Sequence, residues 1–427
     1  MKIVMGIVGM AVLIAIALAL SSNRKAIKVR TVAGAFLIQL GLGAFVLFTP
    51  IGKVALESIS GAVSHVIEYG QQGISFVFGP LVNNDLMEKT FGMGMGFVLA
   101  FRVLTVIIFF SSLISVLYYL GIMQLVIRIL GGALQKLLGT SRTESMSATA
   151  NIFVGQTEAP LVVKPYISKM TESELFAVMC GGLASVAGSV LAAYAGMGVK
   201  MEYLIAASFM AAPGGLLFAK LLIPETGTPN DNPDLESEDG DLNQASNVID
   251  AAAMGASDGL KLALNVGAML LAFVGLIALV NGMLGFLGSF IGMPTLSLEW
   301  ALGKVFAPLA FLIGVSWNEA TVAGSFIGQK LIVNEFVAYL NFKSYLDGSM
   351  LINGVAMTEH TKAIVSFALC GFANLSSIAI LIGGLGAMAP NRRQDIARLG
   401  IKAVIAGTLS NLMSGTIAGL FVALSGV

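Results

Sequence analysis

Glu335 stands in an otherwise apolar stretch, Gly328 to Tyr339, which reads G-Q-K-L-I-V-N-E-F-V-A-Y. At membrane depth a carboxylate costs roughly 2.5–3.5 kcal/mol on insertion scales. It persists there when it faces a wet cavity, binds an ion or grips a substrate; the competing reading is an interfacial residue at a helix end. Two further stretches carry polar groups into apolar surroundings. One holds Gln156, Thr157 and Glu158 within G-Q-T-E-A-P; the other holds Asn374 and Ser377, with Phe372 beside them. If these groups converge, they suit a neutral, polyhydroxylated, amide-bearing ligand. Two carboxylates with no obvious Arg partner argue against an anionic one. Carboxylates accept from hydroxyls and ring N–H groups, and Phe372 can stack on a flat ring. A second cluster, Asn151 and the Val154 carbonyl with Ser185 and the Val186 carbonyl, offers only neutral oxygens. That set suits a dehydrated monovalent cation, since a divalent ion would want the carboxylates.

The elements that must position these groups lie in a membrane. Of 427 residues, 56% are hydrophobic and 11% charged, against about 25% charged in soluble domains. Mean hydropathy is +0.88. Net charge is zero, so charge implies no nucleic-acid partner. Cys180 and Cys370 lie in apolar runs and suggest neither a disulfide framework nor a metal site. His65 and His360 read as loop residues. Fifty glycines fit close helix packing and broken helices alike.

Apolar runs long enough to span fall at about 3–21, 31–50, 94–120, 175–197, 203–223, 261–290, 363–389 and 400–425. Each reaches the ~20 residues that a ~30 Å core needs. Basic clusters follow the first span (Arg24 to Arg30) and the third (Arg128, Lys136, Arg142), and lie between the last two (Arg392, Arg393, Arg398, Lys402). With eight spans all three fall on one side, which predicts both termini outside, the periplasmic side in a bacterial inner membrane. Only Lys2 precedes the first run, so that run does not read as a cleavable signal. Residues 51–93 read as interfacial helices. Residues 224–250, acidic and Pro-rich, read as a solvated cytoplasmic loop.

Two segments do not fit as spans. Residues 143–170 place short apolar arms around the polar turn Gly155 to Pro160. Residues 303–343 place an arm at 305–314, a polar turn Ser316-Trp317-Asn318-Glu319, then an arm carrying Glu335. Arms of 10–14 residues are too short to cross, so each pair reads as a re-entrant hairpin; an amphipathic helix pair is the alternative. After each hairpin comes a span with a Cys-Gly start and a polar centre: Cys180 to Val190, and Cys370 to Ile378. Gly with Ser or Asn predicts a helix break there. The order span, hairpin, broken span, span occurs twice, over 94–223 and 261–425, entering from opposite sides. Such inverted repeats carry a midplane site in secondary transporters.

These stretches resemble the concentrative nucleoside transporter family. The run from Gly328 to Tyr339 is similar to that family's signature: Gly or Ala, any residue, Lys, three residues, then Asn-Glu-Phe-Val-Ala with an aromatic or Met. G-Q-T-E-A-P and A-L-C-G-F-A-N match as well, and the likeness covers essentially the whole chain. It implies an all-α polytopic membrane protein with eight transmembrane helices, two re-entrant hairpins in inverted repeats and interfacial helices, assembled as an elevator-type homotrimer. It implies a scaffold at 1–122 and 261–292. A transport domain follows from 123–223 and 293–427, with an acidic loop and interfacial helix at 224–260. By this likeness Gln156, Thr157, Glu158 and the Val190 region contact a nucleobase. Glu335, Asn374 and Ser377 hold the ribose beside Phe372, and Asn151, Val154, Ser185 and Val186 form a sodium site. Ser316 departs from an expected Pro and puts the shape of that hairpin tip in question. The expected function is sodium-coupled import of uridine-like nucleosides across the inner membrane. Proton coupling through Glu158 or Glu335 is the alternative. An intramembrane hydrolase lacks a nucleophile with a base, and a channel lacks four-fold pore repeats.

Overall fold

Capping residues and glycines divide the apolar sequence into helices. A computed structural model describes residues 2–92, 98–229, 245–290 and 292–426, and the described residues are nearly all helical. The chain opens with α1 (Lys2–Ala19) and α2 (Val29–Phe48). Pro50 then ends one helix and starts another, α3 (Pro50–Phe78), whose first turn is capped by Thr49 Oγ1 accepting from the Gly52 N–H at 3.1 Å. Two short helices follow, α4 (Asn84–Phe91) and α5 (Leu99–Arg102), and then α6 (Leu104–Tyr119). The start of the run expected at 94–120 and most of the acidic loop, 230–244, lie outside the described residues.

From there one plan is carried out twice. The first copy continues through α7 (Ile122–Leu138), α8 (Arg142–Ala150), a 3-10 turn (Ala159–Val163) with α9 (Lys164–Ile167), α10 (Glu172–Ala184), α11 (Gly188–Gly196) and α12 (Met201–Leu222). The second runs α13 (Val248–Ser289), α14 (Leu298–Leu312), α15 (Trp317–Ile332), α16 (Glu335–Leu346), α17 (Glu359–Leu369), α18 (Ser376–Met388) and α19 (Arg393–Leu424). The packing repeats too: α7 lies on α8 as α14 lies on α15, and α10 on α12 as α17 on α19; α6 and α13 pair across the copies. Local sequence sets the joints. Ser141 and Glu144 form a capping box on α8, and Thr171 and Glu174 form one on α10.

Seven helices among the described residues are long and apolar enough to cross a membrane. The run expected as a broken span at 363–389 is the pair α17 and α18, interrupted at 370–375 as its small polar centre predicts. Four expectations need correction. The loop and separate interfacial helix expected at 224–260 give way at Val248 to one helix of 42 residues, about 63 Å long at 1.5 Å per residue. His65 lies on α3, not in a loop, and His360 lies buried on α17. The polar turn at 316–319 does bend the chain: α14 and α15 meet at 115°. Glu335 is not on the arm leaving that bend, however; α15 stops at Ile332 and a second break at 333–334 intervenes. Asn334 makes that break, its side chain accepting from the Val337 N–H at 2.9 Å to start α16. The segment matching the first copy's turn at 151–158 is therefore 333–334. Ser316 is the residue before α15, with its hydroxyl donating to Glu319 Oε2 at 3.1 Å.

Burial separates an inner bundle from an outer one. The best membrane window of α10–α11, and that of α12, is 94% buried within the chain; that of α13 is 11% buried. The first broken pair, α10 and α11, thus runs through the protein interior, as does α17 of the second, and their free backbone groups find protein partners rather than lipid.

Candidate functional site

Both interruptions of both copies meet at the centre of the inner bundle. The first turn is joined to the first break by the Gly188 N–H donating to the Phe153 carbonyl at 2.9 Å. The second turn is joined to the second break by the Leu375 N–H donating to the Leu331 carbonyl at 3.1 Å. The breaks are joined to each other by the Phe372 N–H donating to the Ser185 carbonyl at 3.0 Å. Helix ends leave four backbone donors or acceptors unpaired, and here part of that set is spent on holding four irregular segments together.

A line of side chains crosses the same centre. Tyr194 Oη donates to Glu335 Oε1 at 3.1 Å, and Asn374 Nδ2 donates to Glu335 Oε2 at 3.1 Å. Asn374 Oδ1 accepts from the Ser376 hydroxyl at 2.7 Å and from the Ser377 N–H at 2.9 Å. Ser377 Oγ in turn accepts from Gln156 Nε2 at 3.4 Å. The Gln156 side-chain oxygen is buried with no partner. Unsatisfied buried acceptors are rare and mark a place where a donor belongs. Tyr194, which donates to Glu335, stacks 4.4 Å from Tyr339 and meets Phe336 at 5.5 Å, centroid to centroid.

Of the eight residues expected around a ligand, this chain of contacts joins four: Gln156, Glu335, Asn374 and Ser377. Thr157 packs on α18, where a Cβ at Gly384 would lie 3.1 Å from its methyl. Phe372 is half-buried in the second break and Val190 is buried on α11. Glu158 is exposed and folds back over Gly155.

The four residues of the neutral-oxygen cluster sit where the first turn meets the first break. Asn151 caps α8, and its Nδ2 donates to the Ser147 carbonyl at 2.9 Å. Its Oδ1 is left buried without a partner. Ser185 Oγ donates to the Gly181 carbonyl at 3.0 Å, which leaves its lone pairs free. Val154 and Val186 are buried beside them. An orphaned amide oxygen, a hydroxyl oxygen and irregular backbone fit a small monovalent cation, and no carboxylate is needed to do so.

Comparison with known proteins follows the same outline. Residues 8–81 and 203–419 match the profiles described as the N-terminus and C-terminus of the Na+ dependent nucleoside transporter, and residues 100–201 match one described as nucleoside recognition. The chain is 55% identical to the nucleoside permease NupC of Helicobacter pylori, over 98% of each chain. This chain belongs to the Na+-dependent, or concentrative, nucleoside transporter family. The transporter is 61% identical to CNTnw in an inward-facing substrate-bound state, with a TM-score of 0.95 over 100% of this chain and 99% of that one. It matches an outward-facing state of a CNTnw variant with a TM-score of 0.96, at 61% identity and covering both chains fully.

Sequence reasoning missed three buried polar groups of this transporter's centre: Tyr194, Lys330 and Asn411. Lys330 is in the opening stretch, where it counted only as a letter of a signature. Buried lysines are rare, so its place five residues before Glu335 in an apolar run was a usable signal. Asn411 is a lone amide in the last span, and the same rule for polar groups at membrane depth would have found it.

Proposed function

We propose that this chain is a symporter that imports nucleosides of the uridine type into the cytoplasm, coupled to sodium. One observation carries the reading most: Gln156 of the first copy and Glu335, Asn374 and Ser377 of the second form one connected line of polar groups. In this reading Glu335 and Asn374 hold the ribose hydroxyls, with Ser377 beside them. Gln156, Thr157, Glu158 and Val190 face the base, and Phe372 packs on the sugar. A carboxylate accepting two hydroxyl protons rejects ligands that leave it unpaired. Sodium binds through Asn151, Val154, Ser185 and Val186, and in doing so orders the first turn that carries Gln156. The buried, partnerless Asn151 oxygen favours sodium over proton coupling. No carboxylate has to change charge in such a cycle.

The chain works as a homotrimer in the inner membrane, with both termini on the periplasmic side. Residues 1–122 and 261–292 are the fixed scaffold; 123–223 and 293–427 move together as an elevator. The interior packing of α10, α11, α12 and α19 against the exposure of α13 supports that division. One inward charge at −100 mV supplies ~2.3 kcal/mol, about fifty-fold accumulation before any sodium gradient adds to it. The test is uridine uptake into proteoliposomes with an imposed sodium gradient, competed by a nucleoside panel. Sodium-driven, saturable uptake is expected. Uptake that follows an imposed proton gradient equally well without sodium would replace sodium by the proton.

A further inference from the structure

Asn411 of α19 and Lys330 of α15 are both buried, and together they bridge the two broken helices. Asn411 Nδ2 donates to the Ala184 carbonyl at 2.6 Å and to the Cys370 carbonyl at 2.9 Å. Asn411 Oδ1 accepts from Lys330 Nζ at 2.6 Å, and Lys330 Nζ also donates to the Ala368 carbonyl at 2.8 Å. Ala184 is the last residue of α10; Ala368 and Cys370 are at the end of α17. Both are helix C-termini, which carry unpaired carbonyls and partial negative charge. One amide serves both ends, and one ammonium ion serves the amide and the end of α17.

The sequence is cut away to admit this pair. A Cβ on Gly371 would overlap the Asn411 amide. One turn before Asn411, a Cβ on Gly407 would lie 2.9 Å from Leu183 Cβ and 3.1 Å from Ala373 Cβ. The approach of α19 to both breaks therefore depends on two glycines, Gly371 and Gly407, neither of which has a side chain to offer a ligand.

The next residues along are the sites themselves. Ser185 and Val186 follow Ala184 directly; Phe372 and Asn374 follow Cys370 by two and four positions. The Ser185 carbonyl also accepts the Phe372 N–H. We propose that Asn411, positioned by Lys330, couples the two sites by holding both breaks in one register, so that ordering the cation site orders the ribose site. This deepens the function proposed above and rests on it. Neither residue touches nucleoside or cation; both are positioning residues.

The coupling is a ratio: the nucleoside Kd without sodium over the Kd with sodium, which equals the ratio for sodium without and with nucleoside. It is measured on the purified full-length protein by calorimetry, with uridine in sodium or choline chloride. The unmodified protein is expected to show a ratio of ten or more. Asn411→Asp keeps the volume and an acceptor for Lys330 but removes both donated bonds; Asn411→Ser keeps one shorter donor. Each is expected to lower the ratio to two or less while sodium alone and uridine alone still raise the melting temperature. A folded variant with the unmodified ratio overturns the coupling role and leaves the symporter reading standing. An unmodified protein that binds no nucleoside overturns both. A second measurement needs no variant. Sodium alone is expected to slow amide exchange at Phe372 and Leu375 at least five-fold, although neither is in the cation site. Unchanged exchange there, with slowing confined to 151–154 and 185–188, overturns the proposal.

Discussion

Glu335 accepts from a phenol and an amide and has no arginine or lysine within ion-pair distance among the described residues. Such a carboxylate keeps acceptor capacity for two ligand hydroxyls. Glu335→Gln is expected to reduce uridine uptake to background while the protein still assembles, which size-exclusion chromatography checks alongside uptake. Tyr194→Phe removes one hydrogen bond to a charged group, about 1.5–3 kcal/mol. Uptake efficiency is then expected to fall about ten-fold or more, through KM first. Asn151→Ala is expected to shift the sodium activation curve to higher concentration and to leave the pH profile in place; an unmoved sodium curve removes Asn151 from the cation site. Polar letters in apolar runs announce themselves, and Gln156, Asn374, Ser377 and Glu335, expected to meet if the turns and breaks converge, are joined by hydrogen bonds. The exposed position of Glu158 was not legible, because nothing in G-Q-T-E-A-P says which way the turn faces.

Elements were legible where a local signal decides them. The breaks at 185–187 and 370–375 fall within the small polar centres that predict them. The second turn was set too early because the sequence carries two polar interruptions there, at 316–319 and at 334–335, and the first is longer. Asn334 is a strong helix starter, but its two polar letters interrupt the apolar run too briefly to read as a tip. The long α13 was missed at its start because Val248 to Leu260 reads as amphipathic, and periodicity does not say whether two helical runs are continuous. One element-scale device is a buried ion cluster. Lys220 near the end of α12 pairs with Glu144 of the α8 capping box and donates to the Ser173 hydroxyl at 2.8 Å, with Glu225 at 3.7 Å. Breaking a buried pair by removing one partner costs about 3–5 kcal/mol. Lys220→Met is therefore expected to lower the melting temperature by several degrees, with α8 and α10 losing amide protection first. Unchanged melting would show the cluster to be solvated.

At the scale of the whole molecule, packing divides the chain more clearly than hydropathy does. All the long apolar helices look alike as sequence, yet α12 and α19 lie inside and α13 lies outside. That difference comes from tertiary contacts, which composition does not encode. The central claim is that the two copies enclose one nucleoside between Gln156 and Glu335. Anomalous diffraction from crystals grown with 5-bromouridine and sodium tests it most directly. The account predicts one bromine peak per protomer on the Gln156 side, with ribose density within hydrogen-bond reach of Glu335 and Asn374. A bromine peak elsewhere in the protomer, with Glu335 and Asn374 contacting no sugar, would contradict it.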